Sequence, residues 1–441
     1  MEPMKLSFGA LMSYLSRAIS RVSDPREESN ATSYSVRDAI LGAFSMFFMQ
    51  NESFLEHQRQ MKSRHGKSNA QTLFGVFEIP TTQQIKNIID KIPAAMISGV
   101  FDSVYQGLRR EGHLKPFQYL GGFLVALDGT QYFTSQKVHC DCCSSRTHKN
   151  KKVTYFHSAI LPVIVAPRQS QVISLTPEFV TPQDGHEKQD CEVAAAKRWI
   201  SANAAKLVGQ PITLLGDDIY SRQPMCQDVL SSKMNFIFTC LPESHTHLYQ
   251  HLEIIDALGE VKELKIKQSG KSSGEIYSYR YANQVPLNGS SPNFLVSWCE
   301  LIVSRISDGE ILFKNTFVTN HELTLESVVS VIAAGRCRWK TENENHNVLK
   351  TKGYNLEHNF GHGEEHLSSS LLTLNLLAFL FHTVLELVDK SYQQVRKQRV
   401  TRKGFFQDIT SLTKYLLFEG WQALLDFMLY DPKPTSRANS P

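Results

Sequence analysis

Cysteine is scarce in this chain. Eight thiols in 441 residues, five of them scattered singly, do not make the paired framework that staples small secreted folds, and they predict a reducing cytoplasm. An excess of one charge is missing too. Lys and Arg number 47 against 43 Asp and Glu, so whole-chain charge neither demands nor forbids a polyanionic partner. The first residues, Met1-Glu2-Pro3-Met4-Lys5, lead into mixed apolar and polar residues without an apolar core or a small-residue cleavage site, which predicts no signal peptide. No membrane span is expected either: the most apolar stretch, residues 371–388, is interrupted by Thr373, Asn375, His382 and Glu386 and reads as a helix buried in protein. No internal repeat is present. Only residues 431–441, rich in Pro and Ser, have the composition of a disordered tail.

What is present is a large apolar share, 41%, enough for two or three packed units. Residues 1–115 carry apolar positions three and four apart, as in Val36, Ile40, Leu41, Phe44, Phe47 and Phe48, and predict a helical domain. Within it, Thr81 and Thr82 are candidate caps for a helix with Ile85, Ile88, Ile89 and Ile92 on one side. The texture changes at Leu120-Gly121-Gly122. Residues 116–240 alternate strands and helices: an apolar run ending at Asp128, a hairpin from residues 155–165 and 171–175, a helix over 189–207, and strands at 212–215 and 235–240. Residues 241–320 break into short β-like runs separated by turns and predict a β-rich insertion. Residues 321–365 return to helix, and 366–430 form a C-terminal helical region.

Three basic clusters invite contact with nucleic acid: Arg59, Lys62, Arg64 and Lys67; Lys149, Lys151 and Lys152; and Arg396, Lys397, Arg399, Arg402 and Lys403. For any one of them a solvated surface is an equal reading.

The sharper signal is a set of carboxylates. Asp128 and Asp217 each end an apolar strand, and Glu342 follows on a downstream helix. Strand ends bring chain-distant acids within the roughly 4 Å metal spacing that two-metal phosphoryl transfer uses, and hard divalent cations want carboxylate oxygens. Glu344 competes with Glu342. On a regular helix Arg338, Glu342 and His346 share a face at intervals of four, which favours Glu342.

Leu127-Asp128-Gly129-Thr130, Asp217-Asp218-Ile219-Tyr220 and Arg338-Trp339-Lys340-Thr341-Glu342 resemble, in order, the three signatures of bacterial insertion-sequence transposases of the DDE type. The resemblance implies a ribonuclease-H-like α/β mixed sheet interrupted by a β-rich insertion and flanked by helical regions. It implies catalysis by Asp128, Asp217 and Glu342 with Mg²⁺ or Mn²⁺, two ions in all. DNA contacts would come from Arg338 and Lys350, joined by the basic candidates Arg59, Lys62, Arg64, Lys67, Lys149 and Lys151. The expected activity is cleavage at transposon ends and strand transfer into target DNA, by a homodimer assembled on double-stranded DNA near a bacterial nucleoid. The tyrosine three residues after Asp217 selects it over Asp218. Two departures stand out. Gly335 replaces the tyrosine usual three residues before the arginine, and Lys350 follows Glu342 by eight residues instead of seven, which on a regular helix overshoots by roughly 80°. A transposase-derived DNA-binding protein and a stand-alone nuclease are the alternatives.

Weaker signals remain. His139, Cys140, Cys142, Cys143 and His148 are dense in soft metal ligands, but Cys-x-Cys-Cys is not the usual zinc spacing, and a reduced loop near DNA is favoured over zinc at His139, Cys140 and Cys142. Asp190 and Glu192 read as acids complementing a helix dipole. His358, His362 and His366 read as part of a substrate-side loop.

Overall fold

The computed structural model describes residues 5–26, 34–61, 67–182, 192–207, 209–268, 274–399 and 401–430. Lys62, Arg64, Asp190 and the tail at 431–441 lie outside them.

Among the described residues six helices come first: α1 (Phe8–Ile19), α2 (Val36–Phe48), α3 (Phe54–Gln60), α4 (Asn69–Phe74), α5 (Thr82–Asp90) and α6 (Ala95–Arg110). Five of them start on a hydroxyl cap, Ser7, Ser35, Ser53, Ser68 and Thr81, each accepting the backbone N–H three residues on. The sheet region follows with β1 (Gln118–Tyr119), β2 (Gly122–Ala126), β3 (Gly129–Ser135), β4 (Ser144–Thr147), β5 (Val153–Ile160), β6 (Val163–Val165), β7 (Ile173–Ser174) and β8 (Glu178–Val180). Then come α7 (Glu192–Asn203), β9 (Ile212–Gly216), α8 (Gln223–Ser231), β10 (Asn235–Thr239), α9 (Thr246–Ala257), β11 (Lys262–Gln268), β12 (Glu275–Pro286), β13 (Leu295–Arg305) and β14 (Ile311–Thr319). The chain ends in α10 (Val328–Arg336), a π-helical turn (Thr341–His346), α11 (Asn347–Thr351), α12 (Leu367–Val388), α13 (Lys390–Gln398), α14 (Arg402–Tyr415) and α15 (Trp421–Leu429).

The protein is therefore mixed α/β, with a mixed sheet whose strands are preceded and followed in the chain by helical regions. The main sheet runs β11-β12-β13-β14-β10-β9-β2-β6-β7, with β1 pairing on β2. In its centre β2, β9 and β10 are parallel, and β6 and β7 are antiparallel additions. β2 and β9 are buried at every position, which accounts for their unbroken apolar runs. A second sheet, β3-β5-β4 with β8 on β5, branches off directly after β2.

Residues 241–320 differ from the expected short runs. Their described residues form one helix and four strands of 7 to 12 residues, and β14 pairs antiparallel with β10, so the insertion extends the main sheet. The ladder is interrupted by a bulge between Ala282 and Val285, where Gln284 takes a left-handed φ of 58°, and by a second irregularity between Val303 and Ser304.

The N- and C-terminal helices share a core. α12 packs on α2, α5, α6 and α1, and α2 is buried at every position but Arg37. α12 is long and apolar enough to cross a membrane by length and composition, but 83% of its apolar window is buried inside the protein. Its polar side chains are paired there: Ser370 Oγ donates to the Ile92 carbonyl (2.6 Å), and Asn375 Nδ2 to that of Tyr354 (2.8 Å). His382 bridges Tyr392 Oη and the Phe48 carbonyl, each at 2.9 Å.

Gly335, where the resemblance leads one to expect tyrosine, has a packing reason. A Cβ there would lie 2.8 Å from the Phe317 ring and 2.9 Å from Ile237, so α10 approaches the sheet as closely as backbone allows. Gly335→Ala should destabilise the protein by roughly 1–3 kcal/mol through overpacking. Urea unfolding followed by circular dichroism tests this, and an unchanged midpoint would mean the helix shifts freely.

Candidate active site

The parallel pairing of β2 with β9 sets Ala126 opposite Leu215, and Asp128 and Asp217 follow two residues later on the same side. Both acids therefore leave the same end of adjacent strands. Asp217 caps the short turn Asp218–Ser221, its Oδ1 accepting Ile219 N–H at 3.1 Å. Asp218 turns elsewhere: its Oδ1 accepts Leu241 N–H (2.7 Å) and Ser244 Oγ–H (2.6 Å) and serves the loop before α9. The structure thus separates the two neighbouring acids by their partners.

The third acid comes from the helical segment after α10, which two buried side chains fasten to the sheet. Lys340 Nζ donates to the carbonyls of Ala166 (2.7 Å), Pro167 (3.3 Å) and Gln169 in the β6–β7 turn. Asn345 Nδ2 donates to the Leu161 carbonyl (3.5 Å), and Leu161 N–H donates to the Asp128 carbonyl (3.1 Å). Arg338 then spans the acids, with Nη2 2.9 Å from Glu342 Oε1 and Nη1 4.0 Å from Asp128 Oδ2. His346 Nδ1 lies 3.6 Å from the same Asp128 oxygen. Arg338, Glu342 and His346 thus converge as their spacing suggested, and Glu342 is the acid paired with Arg338.

The π-turn bears on Lys350. Asn347 N–H donates to the Glu342 carbonyl, a ring one residue wider than an α-turn. Eight residues across it cover the rotation of seven in a regular α-helix. Lys350 is paired with Glu357 at 2.8 Å, on the flank of the site.

Sequence reasoning missed Glu192. From the first turn of α7 its Oε1 accepts Gly129 N–H (3.1 Å) and Tyr220 Oη–H (2.5 Å), and its carboxylate lies where a side chain on Gly129 would sit. It ties the segment after Asp128 to the segment after Asp217 and adds a fourth carboxyl to the group. Tyr220, fully buried, earns its place in the second motif by that hydrogen bond.

Burial dominates the electrostatics. It pushes the Asp128 carboxyl up to about 7; Arg338 pulls the other way, while Glu192, Asp217 and Glu342 add to the rise. Burial likewise raises Asp217 and Glu192, and holds His346 down at about 4, neutral near pH 7, with Lys350 and Arg338 adding to that effect. The donor set is all oxygen and short of positive charge. It fits a hard divalent cation.

Other sequence candidates lie away from these acids. Lys149 and Lys151 are exposed at the tip of the β4–β5 hairpin. Ile160 pairs beside Asp128 at Gly129, so the tip beyond Val153 is about 23 Å farther along the strand. Arg59 and Lys67 are exposed on the helical region. The third basic cluster is largely structural, with Arg396 and Arg402 against Glu386 (3.5 and 3.8 Å) and Arg399 against Asp408 (2.5 Å).

No protein-family model and no curated protein matches this chain.

A second cluster joins Cys140, Cys143, His157 and His362 and could hold a metal ion. It corrects the expected ligand set. His139 stacks on Tyr155 (ring centroids 4.3 Å apart), Cys142 is exposed, and His148 bonds Thr154 Oγ1 at 2.8 Å. Ser221, His245 and Asp218 also meet, but Ser221 and Asp218 both face His245 Nε2 (2.6 and 3.8 Å), so they do not form a nucleophilic relay.

The Asp128 shift has a stability consequence. Its folded pKa, about 7, lies above the ordinary 3.8, so the native state holds the extra proton between these values and loses stability as pH rises through them. Asp128→Asn should therefore stabilise the metal-free protein at pH 8 by roughly 1–3 kcal/mol, with the gain vanishing near pH 4. Thermal melts in chelator across that range test it; a destabilised variant at pH 8 would show that the charged form is favoured after all.

Proposed function

We propose that this protein is a DNA transposase of the DDE type, with Asp128, Asp217 and Glu342 as its catalytic acids. The observation that carries the reading is the convergence of acids from adjacent parallel strand ends and a separate helix, with Arg338 bridging the first and the third. Their order in the chain and their flanking residues carry the resemblance to insertion-sequence transposases. A mixed sheet in which the first acid's strand lies against the second's is what a ribonuclease-H-like domain needs, and it supports that assignment.

Bound by the three carboxylates, divalent Mg²⁺ or Mn²⁺, two ions in this reading, would supply Lewis acidity for activating a water or 3′-hydroxyl and for stabilising the departing oxygen. The chain's own groups do the rest. Asp128, its carboxyl raised by burial, must give up its proton before it serves as a ligand. Arg338 carries a planar guanidinium suited to bidentate contact with a DNA phosphate. Glu192 acts as a positioning residue, fixing Gly129 and Tyr220 and through them the loops that present Asp128 and Asp217. Lys340 and Asn345 hold the helix of the third acid in register.

DNA anchoring is assigned to exposed basic residues away from the acids, because carboxylates repel phosphates. Lys149 and Lys151 on the hairpin and Arg59 and Lys67 on the helical region are the candidates there; half-buried Lys350 beside the site is a further one, and Lys62 and Arg64 are candidates by sequence alone. The hairpin's reach matches roughly seven base pairs of duplex. The working form in this reading is a homodimer on two DNA ends in a bacterial cytoplasm.

The test uses the full-length protein, Mg²⁺ and plasmid DNA carrying the element's terminal repeats. Wild type should nick at the ends and yield joined products, whereas Asp128→Asn, Asp217→Asn and Glu342→Gln should reduce both to background with end binding retained. Glu344→Gln should stay active, and Glu192→Gln should lose roughly 10–100-fold, as removal of an outer-shell partner does. Full activity in either aspartate variant would sink the assignment, nicks without joined products would leave a nuclease, and binding without nicks would leave a DNA-binding derivative.

A further inference from the structure

Midway along the β3–β5 pair, where His157 lies opposite Phe133, four soft ligands converge from three places in the chain. Cys140 and Cys143 come from the loop before β4, His157 from β5 and His362 from the loop before α12; their ligand atoms all lie within 4.8 Å of one another. Cys140 Sγ and Cys143 Sγ are 3.9 Å apart. His157 Nε2 lies 3.6 and 3.4 Å from these sulfurs, His362 Nε2 lies 3.2 Å from Cys143 Sγ, and the two Nε2 atoms are 3.1 Å apart.

These separations have a simple metal interpretation. A tetrahedral zinc with Zn–S about 2.3 Å and Zn–N about 2.0–2.1 Å requires S–S near about 3.8 Å, S–N near about 3.6 Å and N–N near about 3.3 Å. Five of the six separations agree within about 0.4 Å, and the sixth, Cys140 to His362, lies within 4.8 Å. The pair Cys140-Asp141-Cys142-Cys143 is itself a Cys-x-x-Cys, with Cys142 as an exposed spacer.

The surroundings orient the ligands. His362 Nδ1 sits 2.7 Å from the Gly363 carbonyl, and a proton donated there leaves Nε2 as a lone pair aimed into the cluster. His157 stacks on Tyr132, and Phe133 packs against both imidazoles. The loop carrying His362 is held from α5, where the Asp90 carboxylate accepts the backbone N–H groups of Glu364, Glu365, His366 and Leu367 at 2.9–3.1 Å.

We propose that Cys140, Cys143, His157 and His362 bind one structural zinc ion. Four protein ligands leave no open position, which distinguishes a structural centre from a catalytic one. Thiolates and imidazoles select zinc over the hard cations that carboxylates prefer. Binding releases the two thiol protons to solvent. The ion joins β5 to a loop 205 residues later, and so fastens the sheet that starts beside Asp128 to the helical core. This inference is independent of the role given to the acids.

Elemental analysis of full-length protein, washed with a weak chelator, should find about one zinc per chain. Cys143→Ser and His362→Ala should each lose it, while Cys142→Ser, His139→Ala and Asp128→Asn keep it. Cobalt exchanged into the wild type should give the visible absorption of a tetrahedral site with thiolate charge transfer, a readout that holds even if the ligand variants fold poorly. Absence of zinc from wild type, a cobalt spectrum without thiolate bands, or loss of zinc in Asp128→Asn would overturn the proposal.

Discussion

Two buried strands running side by side in one direction, β2 and β9, fix the geometry on which the candidate site depends. Because their ladder sets Ala126 against Leu215, the acids two residues beyond both emerge at one end of the sheet. Burial first, and then the neighbouring acids Glu192, Asp217 and Glu342, push the Asp128 carboxyl up to about 7 and make its charged form costly there. Arg338 offsets part of it by reaching both Asp128 and Glu342. A fold that keeps such a group together without enough counter-charge has given up stability at that point, as sites built to receive a cation do.

Much of this was legible from residues alone. An apolar run closed by an acid is a local pattern, so Asp128 and Asp217 could be found, and the spacing of Arg338, Glu342 and His346 foretold a shared face. Glu192 was not legible, because an acid in a first helical turn looks the same whether it faces a dipole or a neighbouring loop; only Gly129 N–H and Tyr220 Oη–H tell the two apart. The second metal-ligand cluster was half visible. Cys140 and Cys143 were masked by the cysteine between them, and His157 and His362 join them only through tertiary folding. The π-turn left no local mark, and its extra residue was readable only as a lysine one place too late.

The β-rich segment shows a different limit. Its strands could be seen as β-like, but whether a run of strands stands apart or continues an existing sheet depends on which edge it meets. β14 meets β10, and the sheet becomes continuous across the boundary suggested by composition. Edge pairing uses backbone groups common to all residues, so side-chain patterns alone specify it weakly.

The shared core of the terminal helices sets a timetable for synthesis. The Phe48 carbonyl that closes the last turns of α2 meets its partner His382 only 334 residues later. At about 5–20 residues per second, a ribosome needs roughly 20–70 s to deliver that partner. Through that interval α2, buried in the finished protein at every position but Arg37, lacks α12 to pack on, while the sheet with the first two acids is complete in sequence once Thr319 has been added. The nascent chain must therefore keep its first helices from aggregation until its last hundred residues arrive, which makes early truncation costly to the very region that would remain.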